Sequence, residues 1–314
     1  MNSSQNIKKI QIYLSKYLIK DILDLVIQYI PVFHNDIKYL KDRPLLTVNL
    51  KRLNKDYIIS SGEYFFTIWN TTENKLIKMF NSEYINIIEP LDDENILLYS
   101  KFNYFRIINY KTEKENLLTA IFPYIYDFNC IKILDKNNIL CCINDTIFYA
   151  DIKNNKIKDK FTKYFFRDTT CMENISDSII ASGTTKGQLS MWDINTKEIY
   201  YTIDCKESIT HIRKINNTSF LISTFENVII LSSDNYKILN RFSINYLIKE
   251  VLIYDDDTLL ILYESDTIST IILWNYKTNI TKQLDFNTNI TSTIILDDKR
   301  ILCGADRIKL ISIK

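Results

Sequence analysis

Short apolar runs alternate with clusters of aspartate and asparagine along almost the whole chain. Seven times, two apolar runs are split by a tight polar turn. Examples are Leu91-Asp92-Asp93-Glu94-Asn95-Ile96, Leu134-Asp135-Lys136-Asn137-Asn138-Ile139 and Leu296-Asp297-Asp298-Lys299-Arg300-Ile301. The strands after these turns open at 57, 96, 139, 179, 220, 259 and 301, in steps of 39, 43, 40, 41, 39 and 42 residues. Polar clusters between β-patterned runs are hairpin signals, and seven at so even a step mark a repeat. A second polar turn follows later in the units, as in Asn109-Tyr110-Lys111-Thr112, Asp151-Ile152-Lys153-Asn154-Asn155 and Asp193-Ile194-Asn195-Thr196-Lys197. Each unit therefore predicts strand, hairpin, strand, loop, strand, hairpin, strand. Gly62, Gly183 and Gly304 follow the second strand of their units, where a glycine suits a turn with positive φ.

All three tryptophans fall in one place in this repeat: Phe66-Thr67-Ile68-Trp69-Asn70, Leu189-Ser190-Met191-Trp192-Asp193 and Ile272-Leu273-Trp274-Asn275. They stand 123 and 82 residues apart, close to three and two repeat lengths. Over roughly residues 35–314 the chain resembles the WD-repeat family, and Ile180-Ala181-Ser182-Gly183 through Trp192-Asp193 is the best match. The Gly-His pair that opens the family's blades is missing, and His34 and His211 are the sole histidines. The resemblance implies an all-β fold: a seven-bladed β-propeller of four-stranded antiparallel blades over 33–314, built to hold other proteins. The last unit supplies strands at Ile301–Cys303 and Ile308–Ile313 before Lys314. An open sheet edge is an aggregation hazard, and the family's remedy is an N-terminal strand, for which Ile37–Lys41 is the candidate.

Residues 16–30 change period. Leu18, Ile19, Ile22, Leu25, Val26, Tyr29 and Ile30 follow helical spacing, with Ser15 as N-cap and Pro31 as stop. This predicts a short N-terminal α-helix within a segment 1–32. The stretch Leu18 to Pro31 resembles the first part of an F-box, with Ile19 in place of the usual proline and no match to the later half in Val32–Arg43. That resemblance implies a second reading: a substrate adaptor of a cullin ubiquitin ligase, gripping the ligase's adaptor subunit through Leu18, Ile22, Leu23, Val26 and Tyr29. The plain alternative is a helix that packs on the propeller. Composition and an F-box-like helix before a propeller also resemble proteins of large A+T-rich DNA viruses, and an A+T-rich protist would serve equally.

Composition narrows the chemistry. The 314 residues are 46% hydrophobic and 25% charged with net charge +1, so a sizeable core is available and no overall field draws nucleic acid or a membrane surface. The apolar stretch Leu18–Ile30 is broken by Lys20, Asp21, Asp24 and Gln28, too polar for a membrane span. Without a signal peptide, a cytoplasmic monomer is expected. The six cysteines make no C-x-x-C pair and no zinc spacing with histidine, and read as small apolar core residues. The acidic clusters at 92–93, 255–257 and 297–298 recur at one turn position and lack a full calcium ligand set. His211 reads as a satisfied strand residue. No nucleophile–base motif, phosphate loop or metal motif is present, so no catalytic residue, cofactor or metal is expected. A propeller hydrolase or lyase is a third reading, and it would need ionisable residues converging in a central channel.

Two connections between units are unusually aromatic: Phe122-Pro123-Tyr124-Ile125-Tyr126 and Tyr164-Phe165-Phe166-Arg167. Aromatics and arginine dominate binding hot spots. Tyr124, Tyr126, Tyr164, Phe165 and Arg167 are therefore the candidate partner-binding residues, provided alternation does not turn half of them into the core.

Overall fold

A computed structural model describes residues 49–312, except 63, 74, 83, 101–104, 119–127, 144–145, 163–167, 266–267, 287–288, 298–299 and 306–308. The chain divides into two compact units, one drawn from 1–82 and 290–314 and the other from 83–289.

The second unit holds five four-stranded sheets, each a meander paired in chain order. They follow a first such sheet in the other unit, so blades and strands are numbered from there. In that unit, blade 1 is β1 (Asn49–Arg52), β2 (Tyr57–Ser61), β3 (Phe65–Asn70) and β4 (Lys75–Asn81). Blade 2 is β5 (Ile85–Pro90), β6 (Asn95–Ser100), β7 (Phe105–Asn109) and β8 (Glu115–Leu117). Blade 3 is β9 (Phe128–Ile133), β10 (Asn138–Ile143), β11 (Thr146–Asp151) and β12 (Lys156–Thr162). Blade 4 is β13 (Thr169–Asn174), β14 (Ile179–Thr184), β15 (Gln188–Asp193) and β16 (Ile199–Asp204). Blade 5 is β17 (His211–Lys214), β18 (Ser219–Ser223), β19 (Asn227–Ser232) and β20 (Ile238–Ser243). Blade 6 is β21 (Leu247–Ile253), β22 (Thr258–Ser265), β23 (Ile268–Asn275) and β24 (Ile280–Phe286). A last sheet in the first unit has three strands, β25 (Ser292–Asp297), β26 (Arg300–Gly304) and β27 (Lys309–Ser312).

The expectation of seven four-stranded blades is therefore corrected. The described residues form six, because the chain after β24 supplies three strand segments and the sheet stops at β27. Ile37–Lys41, the segment expected to add a fourth, lies outside the described residues. No α-helix occurs among the described residues, and the segment read as helical, with Leu18, Ile22, Leu23, Val26 and Tyr29, also lies outside them.

Second and third strands are buried on both faces, as in β10 and β19, while fourth strands such as β4 and β20 alternate half-buried and exposed positions. Sequence pattern explains this. The former are continuous apolar runs such as Asn138-Ile139-Leu140-Cys141-Cys142-Ile143, and the latter interleave lysine, asparagine and arginine. Trp69, Trp192 and Trp274 share one register, opposite Ile58, Ile180 and Leu259 of the neighbouring second strand. Each packs against another sheet of its own unit, the preceding one for Trp192 and Trp274 and the last one for Trp69. Trp192 meets Leu140, Cys142, Ile147 and Phe161, Trp274 meets Leu221, Val228 and Ile230, and Trp69 meets Ile294, Leu296 and Leu302. Blades 2, 3 and 5 fill the position with Ile108, Ala150 and Leu231. Just before it, the third–fourth strand ladder slips by a bulge in blades 1, 3, 4 and 5.

Positive φ at Gly62 and Gly183 is not observed; Gly187 is the described glycine that has it. Close approach explains the other two. A Cβ on Gly183 would sit 2.6 Å from Ile209 Cγ2, and one on Gly62 would strike the Phe65 ring.

Candidate interaction surface

Each blade has two chemically different ends. At one end lie the first–second and third–fourth strand turns. The Ile194 N–H donates to the Ser178 carbonyl at 2.9 Å, the Ser233 N–H to Thr218 at 2.8 Å, and the Tyr276 N–H to Asp257 at 2.9 Å. These bonds join the two turns of blades 4, 5 and 6. Side-chain carboxylate and amide oxygens close the turns themselves. Asp92 Oδ1 accepts from the N–H groups of Glu94 and Asn95, Asn216 Oδ1 from those of Thr218 and Ser219, and Asp193 Oδ1 from those of Asn195 and Thr196. The recurrent Asp or Asn after the tryptophan position is thus an Asx cap. These bonds pull Asp151 below the ordinary aspartate range, the Asn154 side chain being the main cause. In Asp92 and Asp135 partial burial pushes upward, but hydrogen bonds led by Asn95 and Asn138 outweigh it.

In blades 2 to 6 the fifth residue of the third–fourth turn takes the left-handed conformation: Glu113, Asn155, Lys197, Tyr236 and Asn279. Three of these side chains clasp the fourth strand of the preceding blade. Lys197 Nζ lies 2.6 Å from Asp159, Tyr236 bonds Tyr200 through their hydroxyls at 2.6 Å and packs on Tyr201, and Asn279 Oδ1 accepts from Asn240 at 3.0 Å. Burial, then the Tyr236 hydroxyl, raises the Tyr200 phenol. Sequence reasoning missed these clasps, although the fifth turn position recurs from blade to blade.

First strands carry a further unanticipated pattern. Glu89, Lys132, Glu173 and Arg213 occupy one register on β5, β9, β13 and β17, opposite Leu97, Leu140, Ala181 and Leu221. Lys132 and Glu173 form an ion pair in which Glu173 is buried. Alternating signs cancel along this row, so it selects no ligand charge. On β17 the His211 ring Nδ1 lies 3.0 Å from Ser223 Oγ and 3.1 Å from Thr210 Oγ1, a satisfied strand histidine. Cys130, Cys141, Cys142 and Cys303 are buried and Cys171 and Cys205 half-buried, all as free thiols. Among the described residues no group of three or more His, Cys, Asp or Glu side chains could hold a metal ion, and no helix is long and apolar enough to cross a membrane.

The opposite end carries the second–third strand turn and the connection to the next blade. In blade 4 the Cys205 N–H donates to the Gly187 carbonyl at 2.8 Å and the Ile209 N–H to Thr184 at 3.0 Å. In blade 5 the Ile244 N–H donates to Glu226 at 2.8 Å and the Ile248 N–H to Phe225 at 2.7 Å. The connection thus lies along the turn and brings Phe225 beside Tyr246 and Leu247. These three are 48%, 46% and 46% exposed. Tyr246 is stacked on Tyr263 of blade 6, rings 5.5 Å apart and 12° from parallel. Sequence reasoning missed this cluster, because Phe225 stands singly between polar neighbours and Tyr246-Leu247 reads as the opening of the apolar run of β21.

Tyr124, Tyr126, Tyr164, Phe165 and Arg167 lie outside the described residues. They belong to the same class of connection, between blades 2 and 3 and between blades 3 and 4.

No family model matches the chain. A protein of Acanthamoeba polyphaga mimivirus named for a BTB/POZ domain and WD repeats is 27% identical over 204 residues, 61% of this chain. The match spans 38% of that relative's length. Among solved structures, the β-propeller domain of Myceliophteria thermophila Cps50 (Swd1) superposes with a TM-score of 0.71 at 12% identity, covering 87% of this chain and 98% of that one. A chain of a mitotic checkpoint complex gives 0.68 at 9% identity, covering 85% of each. The fold is a WD-repeat-like β-propeller with four-stranded antiparallel blades.

Proposed function

We propose that this chain is a non-enzymatic scaffold that binds other proteins through the connection end of its blades. The observation that carries this reading is the exposed Phe225–Tyr246–Leu247 cluster, held on backbone bonds and a ring stack rather than on a mobile loop. Large apolar side chains kept half in water on a rigid support are the raw material of a hot spot. Tyr124, Tyr126, Tyr164, Phe165 and Arg167 are proposed as further contacts, being residues of the same connection class. Chemical cross-linking of complexes recovered from cells tests the scaffold. Partner cross-links are expected at Lys186 and Lys206 of the connection end, and not at Lys136 and Lys153 of the turn end. Cross-links confined to the turn end, or none, would overturn it.

The narrower reading, a ligase substrate adaptor, is supported by the F-box-like residues Leu18, Ile22, Leu23, Val26 and Tyr29. Its test is direct binding of a purified cullin-ligase adaptor subunit. Full-length chain should bind and a chain lacking residues 1–32 should not; equal binding by both removes the reading.

A further inference from the structure

A repeat protein carries its own control, because one backbone task is solved several times with different side chains. Blades 4 and 5 make the same crossing, over a second–third strand turn that is one residue longer in blade 4. Thr184 Oγ1 accepts from the Gln188 N–H at 3.0 Å, and Thr224 Oγ1 accepts from the Asn227 N–H at 3.0 Å. After these threonines blade 4 continues with Thr185 and Lys186, and blade 5 with Phe225 and Glu226. Counted back from Ile209 and Ile248, the N–H donors that tie each crossing down, blade 4 has Glu207-Ser208 where blade 5 has Tyr246-Leu247.

The third position of the crossing has a structural task in both blades. The Glu207 carboxylate accepts from Asn227 Nδ2 at 3.0 Å and from Thr224 Oγ1, both in blade 5. Tyr246 reaches blade 6 by stacking on Tyr263. Phe225 and Leu247 have no such excuse. Blade 4 makes the crossing with Ser208 in the place of Leu247, so backbone geometry does not require an apolar side chain there, and its longer turn carries Thr185 and Lys186 with no apolar side chain. Leaving two such side chains half exposed gains nothing for the fold.

On the turn and the crossing of blade 5 themselves the charged side chains are Glu226 and Lys249. Lys249 is engaged by Glu264 at 2.6 Å and by Asn289 at 2.7 Å. The Glu207 carboxylate is committed to Thr224 and Asn227. Glu226 is exposed, adjoins Phe225 and makes no ion pair among the described residues. An arriving partner therefore meets an apolar surface with an uncompensated carboxylate at its rim.

We infer that Phe225, Tyr246 and Leu247, with Glu226 at their edge, form a docking site for a protein segment that presents an apolar side chain beside a lysine or arginine. This rests on the scaffold reading above and names the chemistry of the partner. Its charge complementarity sets orientation and its apolar contact supplies affinity.

The test uses the repeat itself. In a chain carrying F225T, E226K and L247S, blade 5 receives the residues that blade 4 has in Thr185, Lys186 and Ser208. Random peptides displayed on phage are selected on the full-length chain, and the enriched ones are synthesised and titrated. The expected result is a shared apolar residue next to Lys or Arg, binding at least about tenfold weaker to the swapped chain. The single change Glu226→Gln should weaken binding by about threefold at low salt and by less at high salt. If the swapped chain loses its wild-type melting temperature, Glu226→Gln and Leu247→Ser each stand in for it. Peptides that are acidic, that lack an apolar anchor, that bind the swapped chain equally, or that fail to enrich would each overturn the inference. So would a concentration-dependent dimer that the swap abolishes, since the cluster would then be covered by a second copy. Failure here with partner cross-links still at Lys186 and Lys206 would sink this site and leave the scaffold reading standing.

Discussion

The turn end of the blades repeats itself, and the connection end does not. Asp92, Asp135, Asp193, Asn216 and Asn275 all cap turns with their own side-chain oxygens, whichever blade they sit in. At the connection end the same crossing is built from Lys206-Glu207-Ser208 in blade 4 and Asn245-Tyr246-Leu247 in blade 5. Stability should therefore reside in the shared positions, and specificity in the divergent ones. Propeller blades allow this separation because a connection of fixed length can change its side chains without touching the ladder.

The largest effect should come from the shared tryptophan register. Trp192 is 1% exposed and packs on Phe161 with ring centroids 5.4 Å apart. Trp192→Ala should lower unfolding free energy by about 3–5 kcal/mol in denaturant titrations. A loss under about 1 kcal/mol would mean that this register is not the core position the comparison needs, since even Ile→Val truncations in cores cost about that much.

Legibility in the sequence follows the same division. Second strands were expected to open at 57, 96, 139, 179, 220, 259 and 301; they open at Tyr57, Asn95, Asn138, Ile179, Ser219, Thr258 and Arg300. Such turns are settled by residues two or three apart, and a single sequence displays them. The clasps Lys197–Asp159 and Tyr236–Tyr200 join residues 38 and 36 apart on separate sheets, and the alternating row from Glu89 to Arg213 emerges only when registers are aligned. Counting turns also overstated the number of complete blades. A seventh hairpin, Leu296 to Ile301, is present, but among the described residues its sheet has three strands. The glycines misled for a related reason. Gly183 is small because Ile209, 26 residues later, crosses it, and no local pattern shows that.

A smaller effect should follow from uncapping one turn. Asp193 Oδ1 accepts N–H bonds from Asn195 at 2.7 Å and Thr196 at 3.0 Å. Asp193→Ala should cost about 1–2 kcal/mol, while Asp193→Asn should recover most of it. Asparagine already does this work at Asn70, Asn109 and Asn275. An asparagine variant as unstable as the alanine one would point to charge rather than cap geometry.

Acid should expose the same end. Asp92, Asp135 and Asp151 are held below their ordinary values. A carboxylate whose folded pKa is lowered adds stability that is complete above its unfolded pKa and is lost as pH falls through the lowered value. Stability should thus hold down to about pH 4 and decline below it. Replacing Asp151 with Asn, which keeps an acceptor oxygen and removes the charge, should flatten that decline slightly in melts between pH 5 and pH 2. An unchanged slope would remove Asp151 from the account.

The smallest stability effect is the one that tests the other half of the comparison. Phe225 and Leu247 are half exposed, and blade 4 makes the same crossing with Ser208 and a turn one residue longer with Thr185. Phe225→Thr with Leu247→Ser should leave unfolding free energy within about 0.5 kcal/mol of wild type. Both changes replace exposed apolar surface by groups that water solvates, so a slight gain in solubility is expected with no loss of cooperativity. Tyr246→Ala is the contrast: it removes the stack on Tyr263 and should cost about 0.5–1.5 kcal/mol. Should the Phe225/Leu247 pair instead destabilise by more than Tyr246→Ala does, the apolar cluster would belong to the fold. The division between a structural end and a recognition end would then fail at the blade where it is clearest.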